Sequence, residues 1–172
     1  ARVGCGFVTW SMARDPMLLD LVLAKRPSAL MLSFGDVAPH VPRIKAQGVP
    51  LICQVQGMKY LREAVDAGAD IIIAEGCEAG GHSGHRGLFT FVPEAADYLA
   101  RTSPSTVLVA AGGVGDGRGL AAALMLGADG VLVGTRFIAS DESEAPDGFR
   151  QAILRADGDS TVKSNSVDVV RK

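Results

Sequence analysis

"STVLVAAGGVGDGRGLAAALMLGADGVLVGT", residues 105–135, holds one complete structural phrase. It opens with a run of Val, Leu and Ala too short for an ordinary helix. A glycine-rich turn follows, then a helical pattern, "GRGLAAALMLGA", that ends at Gly127 and opens at about Leu120. The tripeptide "GAD" announces a second apolar run. A short, nearly continuous apolar run fits a strand covered on both faces, as in parallel sheets. Glycine just past a helical pattern is a stop signal. The phrase therefore reads strand, loop, helix, strand, which is one right-handed βαβ unit.

The same phrase recurs along the chain. Apolar runs lie at 3–10, 28–34, 50–56, 69–75, 105–112 and 129–135, with starts 25, 22, 19, 36 and 24 residues apart. Helical patterns lie between them. "DPMLLDLVLAKR" begins with Asp15 as a cap and Pro16 at the first helical position. "MKYLREAVDAGA" ends at Gly68, and "FVPEAADYLART" starts behind Pro93.

Two architectures share this rhythm, the open doubly wound sheet and the closed (β/α)8 barrel. The doubly wound fold expects G-x-G-x-x-G directly after the first strand. Here "GCGFVTW" (4–10) lacks the third glycine and places its glycines inside the strand. The barrel is the better reading, incomplete at six recognisable strands. A full barrel takes ~250 residues and this chain has 172, so the expectation is a single barrel domain over 1–172 that lacks two strands.

Composition narrows the function classes. The chain is 48% hydrophobic and 21% charged with a net charge of −2, so it offers no basic footprint for nucleic acid or an anionic membrane. No apolar run approaches the ~20 residues of a membrane span, and no secretory leader pattern stands at the start. Cys5, Cys53 and Cys77 are odd in number and far apart, and they read as reduced, small apolar residues. The expected location is the cytoplasm.

Glycine gathers where a barrel keeps its working loops, after the strands' C-terminal ends. The fourth run leads into "AEGCEAGGHSGHRG" (74–87), the fifth into "AGGVGDGRG" (111–119), and the sixth ends in "VGTRF" (133–137). Gly112 and Gly113 before a helix, with Gly134 and Thr135 on the next strand, supply backbone N–H groups and a hydroxyl suited to phosphate. Glycine is also the default turn residue, but two such loops on consecutive strands favour the cradle.

His82 sits among small residues in a mouth loop, where a neutral imidazole serves as a proton acceptor. An idle surface histidine and a zinc site with His85 and Glu75 or Glu78 are the competing readings. The H-x-x-H spacing in a glycine loop with no third histidine nearby argues against zinc. Gln54 either points into the mouth, where it hydrogen-bonds a ligand such as a cofactor, or closes a buried network; Gln56 shares its face. Cys77 has no basic partner at a fixed offset and reads as filler rather than a nucleophile; Arg136 reads as a phosphate contact or, more simply, as the ion-pair partner of Asp129 or Asp116, and "DESE" (141–144) as a solvated acidic turn.

"AEGCEAGGHSG" (74–84), "AAGGVGDGRGLAAALMLGADGVLVGTRF" (110–137) and "GDSTVKSNSVDVVR" (158–171) together resemble nitronate monooxygenases, from about Val3 to Arg171. The resemblance implies an FMN-binding (β/α)8 barrel that uses no metal. It implies that His82 is the catalytic base toward a neutral nitroalkane, and that Gly80 and Gly81 let the flavin approach the backbone. It further implies that Gly112, Gly113, Leu132, Val133, Gly134 and Thr135 hold the FMN phosphate. Glu75 departs from the family's usual Gln, and a carboxylate there repels an anionic reduced flavin unless protonated or paired. Two further strands and a C-terminal substrate-covering region are expected in such a protein.

The implied reaction joins alkyl nitronates with O2 and yields a carbonyl compound and nitrite. The runner-up is an FMN- and NADH-dependent enoyl-[acyl-carrier-protein] reductase, a similar barrel in which Glu75 is at home. A third reading is a non-catalytic phosphate-binding barrel fragment.

Overall fold

Each of the six apolar runs forms a strand in the computed structural model, which describes residues 3–164. The chain runs β1 (Cys5–Val8), α1 (Thr9–Met12), α2 (Met17–Leu23), β2 (Leu30–Ser33), α3 (Val41–Ala46), β3 (Leu51–Val55), α4 (Met58–Asp66) and β4 (Ile71–Glu75). It continues with α5 (Leu88–Thr102), β5 (Val107–Ala111), α6 (Gly117–Met125), β6 (Gly130–Leu132), α7 (Thr135–Ile138) and α8 (Asp147–Arg155). Residues 165–171 of the third resembling segment lie outside the described residues.

All strands are parallel and each pairs with the one before it, in the order β1-β2-β3-β4-β5-β6. Right-handed crossovers that always step in one direction put every helix on one face. A doubly wound sheet would reverse its order, so this is the wall of a (β/α)8 barrel.

Alternation along the strands divides the two faces. Leu30, Leu32, Leu51, Cys53, Val55, Ile72, Ala74, Leu108 and Ala110 share one core with Leu19, Ile44, Leu61, Phe91, Val92 and Leu99 of the helices. Phe91, Leu51 and Leu61 are fully buried there, and burial of such side chains contributes about 1.5–3 kcal/mol each. The opposite face is more open than the continuous apolar runs imply. Val8, Val107 and Leu132 on it are 39%, 39% and 41% exposed.

The recurring "GAD" has a mechanical meaning. At the end of α4, Gly68 (φ +86°) donates to the Val65 carbonyl and Ala69 to that of Ala64. At the end of α6, Gly127 (φ +99°) donates to Leu124 and Ala128 to Ala123. These are matched Schellman ends, in which glycine alone takes the left-handed turn without strain. The next residue latches the incoming strand to its neighbour. The Asp70 N–H donates to the Leu51 carbonyl while its carboxylate accepts from the Leu51 N–H at 2.7 Å. Asp129 repeats both bonds with Leu108, accepting at 2.8 Å.

Burial pushes the Asp70 carboxyl up, but the Lys45 ammonium at 2.6 Å and the Leu51 N–H outweigh it and hold the group below the usual carboxylate range. A depressed folded pKa stabilises fully above the unfolded value of ~3.9, and the gain is lost as pH falls through the folded pKa. Asp70→Asn is therefore expected to lower urea stability by ~0.2–1 kcal/mol at pH 7. Measured against wild type, that deficit shrinks as pH falls below ~4 and is gone once pH passes the lower folded pKa, where the native carboxyl also takes up its proton.

Two helix starts differ from the sequence reading. α5 begins at Leu88, not behind Pro93, which lies inside the helix. Its cap comes from ten residues upstream: both oxygens of the Glu78 carboxylate accept from the Leu88 N–H at 3.0 Å. α6 begins at Gly117, before Leu120, because the Asp116 carboxylate accepts from the N–H groups of Arg118 and Gly119. Asp15 accepts from the Met17 N–H at 3.1 Å, as its capping role requires.

Candidate active site at the strand C-termini

A cleft of about 930 Å³ opens at the C-terminal ends of β3 to β6 and runs along α7 and α8. Its volume falls in the range of small-molecule and cofactor sites, ~300–1,000 Å³. Gln54, Glu75, Gly80, Gly81, His82, Gly112, Gly113, Leu132, Gly134 and Thr135 all line it. Val133 does not line it, since it alternates with Leu132 and Gly134 and takes the other face. The far wall is apolar and comes from Ile138, Ala139, Phe149 and Ile153.

The glycines of the mouth loops divide into two kinds. A Cβ on Gly112 would stand 2.9 Å from the Ala79 nitrogen, and one on Gly84 would stand 2.7 Å from the Gln56 Cβ. These glycines let loop pack against loop. A Cβ on Gly134 or Gly81 would meet nothing within 4 Å, and one on Gly80 only the Thr135 hydroxyl oxygen at 3.5 Å. That second group faces open cleft, as a bound group lying against bare backbone requires.

His82 is half-buried in the loop between β4 and α5, with its ring centroid 5.9 Å from that of Phe34 and the planes tilted by 54°. Phe34 follows β2 with φ +60°, an unusual conformation for a bulky residue. The Trp10 N–H donates to its carbonyl at 3.3 Å. Strain of this kind costs about 1–3 kcal/mol and persists where the surroundings impose it.

Glu75 ends β4, is 5% exposed, and accepts from the Gln56 side-chain amide at 2.6 Å. The network-closing role thus belongs to Gln56, while Gln54 lines the cleft. A buried carboxylate on the cleft wall therefore has a neutral donor at hand.

The loop itself is tied at several points. The Cys77 N–H donates to the Arg86 carbonyl at 2.7 Å, and the Gly76 N–H to that of Ala111 at 2.8 Å. Arg86 pairs with Glu94 at 2.5 Å and lies over the Phe91 ring at 5.1 Å. Lys163, from beyond α8, donates to the carbonyls of Gly84 at 2.8 Å and Cys77 at 3.1 Å, and to the Ser83 hydroxyl at 3.3 Å. Neither the Glu78 cap nor the Lys163 contacts have a local sequence signal, since each partner lies ten or roughly eighty residues away.

Arg136 departs from expectation. Asp116 is engaged by Arg118 at 2.6 Å and Asp129 by the Leu108 N–H, so neither pairs with it. Arg136 instead lines the cleft. Around "DESE", Arg150 bridges Asp147 at 3.0 Å and Asp141 at 3.6 Å, which ties the turn to α8. Burial pushes the Cys53 thiol up to about 12, so it stays protonated and inert. Among the described residues, no three His, Cys, Asp or Glu side chains converge as a metal site requires, and no helix is long and apolar enough to cross a membrane.

Comparison with known proteins places this geometry. The nitronate monooxygenase family model matches residues 10–171. A nitronate monooxygenase of Neurospora crassa is 39% identical over 167 residues, covering 94% of this chain and 42% of that protein. A Mycobacterium tuberculosis protein, (3aS,4S,5R,7aS)-5-hydroxy-7a-methyl-1-oxo-octahydro-1H-indene-4-carboxyl-CoA dehydrogenase, is 40% identical over 128 residues, covering 74% of this chain and 36% of its own. The structure of a FabK mutant (M276A) from Thermotoga maritima superposes with a TM-score of 0.87 at 32% identity, covering 95% of this chain and 53% of that one. The chain spans about half, or less, of the length of these relatives.

Proposed function

Because the chain belongs to the nitronate monooxygenase family, we propose that it builds the cofactor-binding wall of an FMN-dependent enzyme that acts on alkyl nitronates. That enzyme converts nitronates, and nitroalkanes through them, to carbonyl compounds and nitrite with O2. The observation behind this reading is the meeting of His82, the open glycines and Arg136 on one cleft with an apolar wall.

FMN, when bound, supplies the electron transfer and the reaction with O2. Everything else falls to the chain. Gly80, Gly81 and Gly134 leave room for a flat group against the backbone. Gly112, Gly113, Gly134 and Thr135 would offer the phosphate N–H groups and one hydroxyl, and Arg136, which lines the same cleft, would add a positive charge. His82 takes the proton from the carbon next to the nitro group of a neutral substrate, leaving the nitronate. The Gln56 amide, donating to Glu75, spreads that carboxylate's charge away from the cleft.

Arg136→Ala is expected to weaken FMN binding by ~10-fold while leaving riboflavin binding unchanged, since a fork of donors is worth most against phosphate oxygens. Fluorescence titration of both flavins checks it; equal loss for both would remove Arg136 from the phosphate.

The enoyl-acyl-carrier-protein reductase remains the second reading, favoured by Glu75 and by a relative named for a CoA thioester. A visible spectrum of the FMN-loaded protein separates the two. Loss of oxidised-flavin absorbance on anaerobic addition of an alkyl nitronate, without NADH, supports the monooxygenase. Bleaching by NADH alone, reversed by an enoyl thioester, supports the reductase. A protein that binds phosphate but no flavin would be a non-catalytic barrel.

A further inference from the structure

We infer that Lys163 is a positioning residue that fixes the His82 loop in its working geometry, an assignment that rests on the reading of His82 as a base. An ammonium has three protons, and all three are used on one loop. Its acceptors are the Cys77 carbonyl at the loop's start and the Ser83 hydroxyl and Gly84 carbonyl that directly follow His82. One cation therefore clasps both limbs of a glycine-rich turn, adding to the backbone bonds at its base, Cys77 to Arg86 and Gly76 to Ala111, and to the ring contact of His82 with Phe34.

The need for such a clasp follows from the loop's composition. Gly80, Gly81 and Gly84 leave the backbone around His82 with more freedom than any other residue type would allow. Gly81, next to His82, sits at φ +75° with nothing within 4 Å of where a Cβ would be. Room for a cofactor and a rigid base are thus opposed demands on the same residues. The lysine reconciles them from outside the cleft, where it does not line the cavity. Misplacement of a reacting group by ~1 Å costs up to ~100-fold in rate.

The test compares Lys163→Met, which keeps the aliphatic stem without donors, with Lys163→Arg, which keeps charge and several donors. Under the inference, Lys163→Met lowers kcat for a neutral nitroalkane by ~10–100-fold with KM nearly constant, and lowers turnover of the preformed nitronate by less than ~3-fold. Lys163→Arg restores most of the loss. In a His82→Ala background, Lys163→Met has no further effect on the nitroalkane. Hydrogen exchange on the flavin-free protein gives an independent readout. Exchange within 77–87 rises ~10-fold in Lys163→Met, while peptides from β3 and β5 are unchanged. Unaltered exchange in that loop, or equal loss on both substrates, would overturn the inference. If wild type fails to turn over either substrate, the reading of His82 falls instead, and the exchange measurement alone decides whether Lys163 clasps the loop.

Discussion

Replacing His82 by alanine is expected to lower kcat/KM for a neutral nitroalkane by ~10²–10⁴-fold, and for the corresponding preformed nitronate by less than ~10-fold. The first loss corresponds to about 2.7–5.4 kcal/mol of transition-state stabilisation. The asymmetry follows from the chemistry: a nitroalkane must lose a carbon-bound proton, whereas its nitronate has lost it already. Parallel assays with both forms at one pH, each fresh from stock, measure the ratio directly. Equal losses would mean that His82 shapes the cleft through contacts such as that with the Phe34 ring, without moving a proton.

Gly112→Ala should have the largest effect on stability. The residue sits at φ +116°, which L side chains rarely adopt, and the new methyl group would stand 2.9 Å from one backbone nitrogen and 3.3 Å from the Gly76 carbonyl oxygen. Those neighbours are backbone and cannot swing away. Strain of ~1–3 kcal/mol and overpacking of ~1–3 kcal/mol add to an expected loss of about 2–6 kcal/mol. For a domain of this size, at about 2–4 °C per kcal/mol, that lowers the thermal midpoint by roughly 4–24 °C. Gly134→Ala is the informative contrast. Its φ is −109° and the space beside it is open, so the variant should fold normally and bind FMN more weakly because the methyl occupies the cleft. A Gly134→Ala protein with wild-type FMN affinity would move the cofactor away from β6.

How much of this was legible in the chain depended on distance. The six strands were, because each is a local apolar run whose alternate residues lie against helices, and the order of the sheet followed from the chirality of βαβ units. The helix stops at Gly68 and Gly127 were legible for the same local reason. The start of α5 was not, because Glu78 caps it across a folded loop and Pro93 looked like a better beginning. The start of α6 was obscured by "GDGRG", poor helix formers that hide the capping Asp116. At the cleft, glycine density pointed to loops that line it but not to the division between packing and open glycines. The sequence left Gln54 open between the mouth and a buried network; the approach of Glu75 gives the buried contact to Gln56, two residues on. Arg136 was assigned a partner by charge alone, and Asp116 turned out to have a nearer one. Phe34 gave no signal, since a strained backbone angle has no composition.

The paired Asp latches have a consequence for how such a barrel can change. Asp70 and Asp129 bind neighbouring strands at their N-terminal ends, a strand's length, about 15 Å, from the mouth. Anchorage and chemistry therefore occupy opposite rims. A loop at the mouth can be lengthened, shortened or exchanged for that of another barrel while the fastening beneath it is untouched. The lower rim is thus a chassis whose fastening sets no constraint on the length or sequence of the loops at the upper rim.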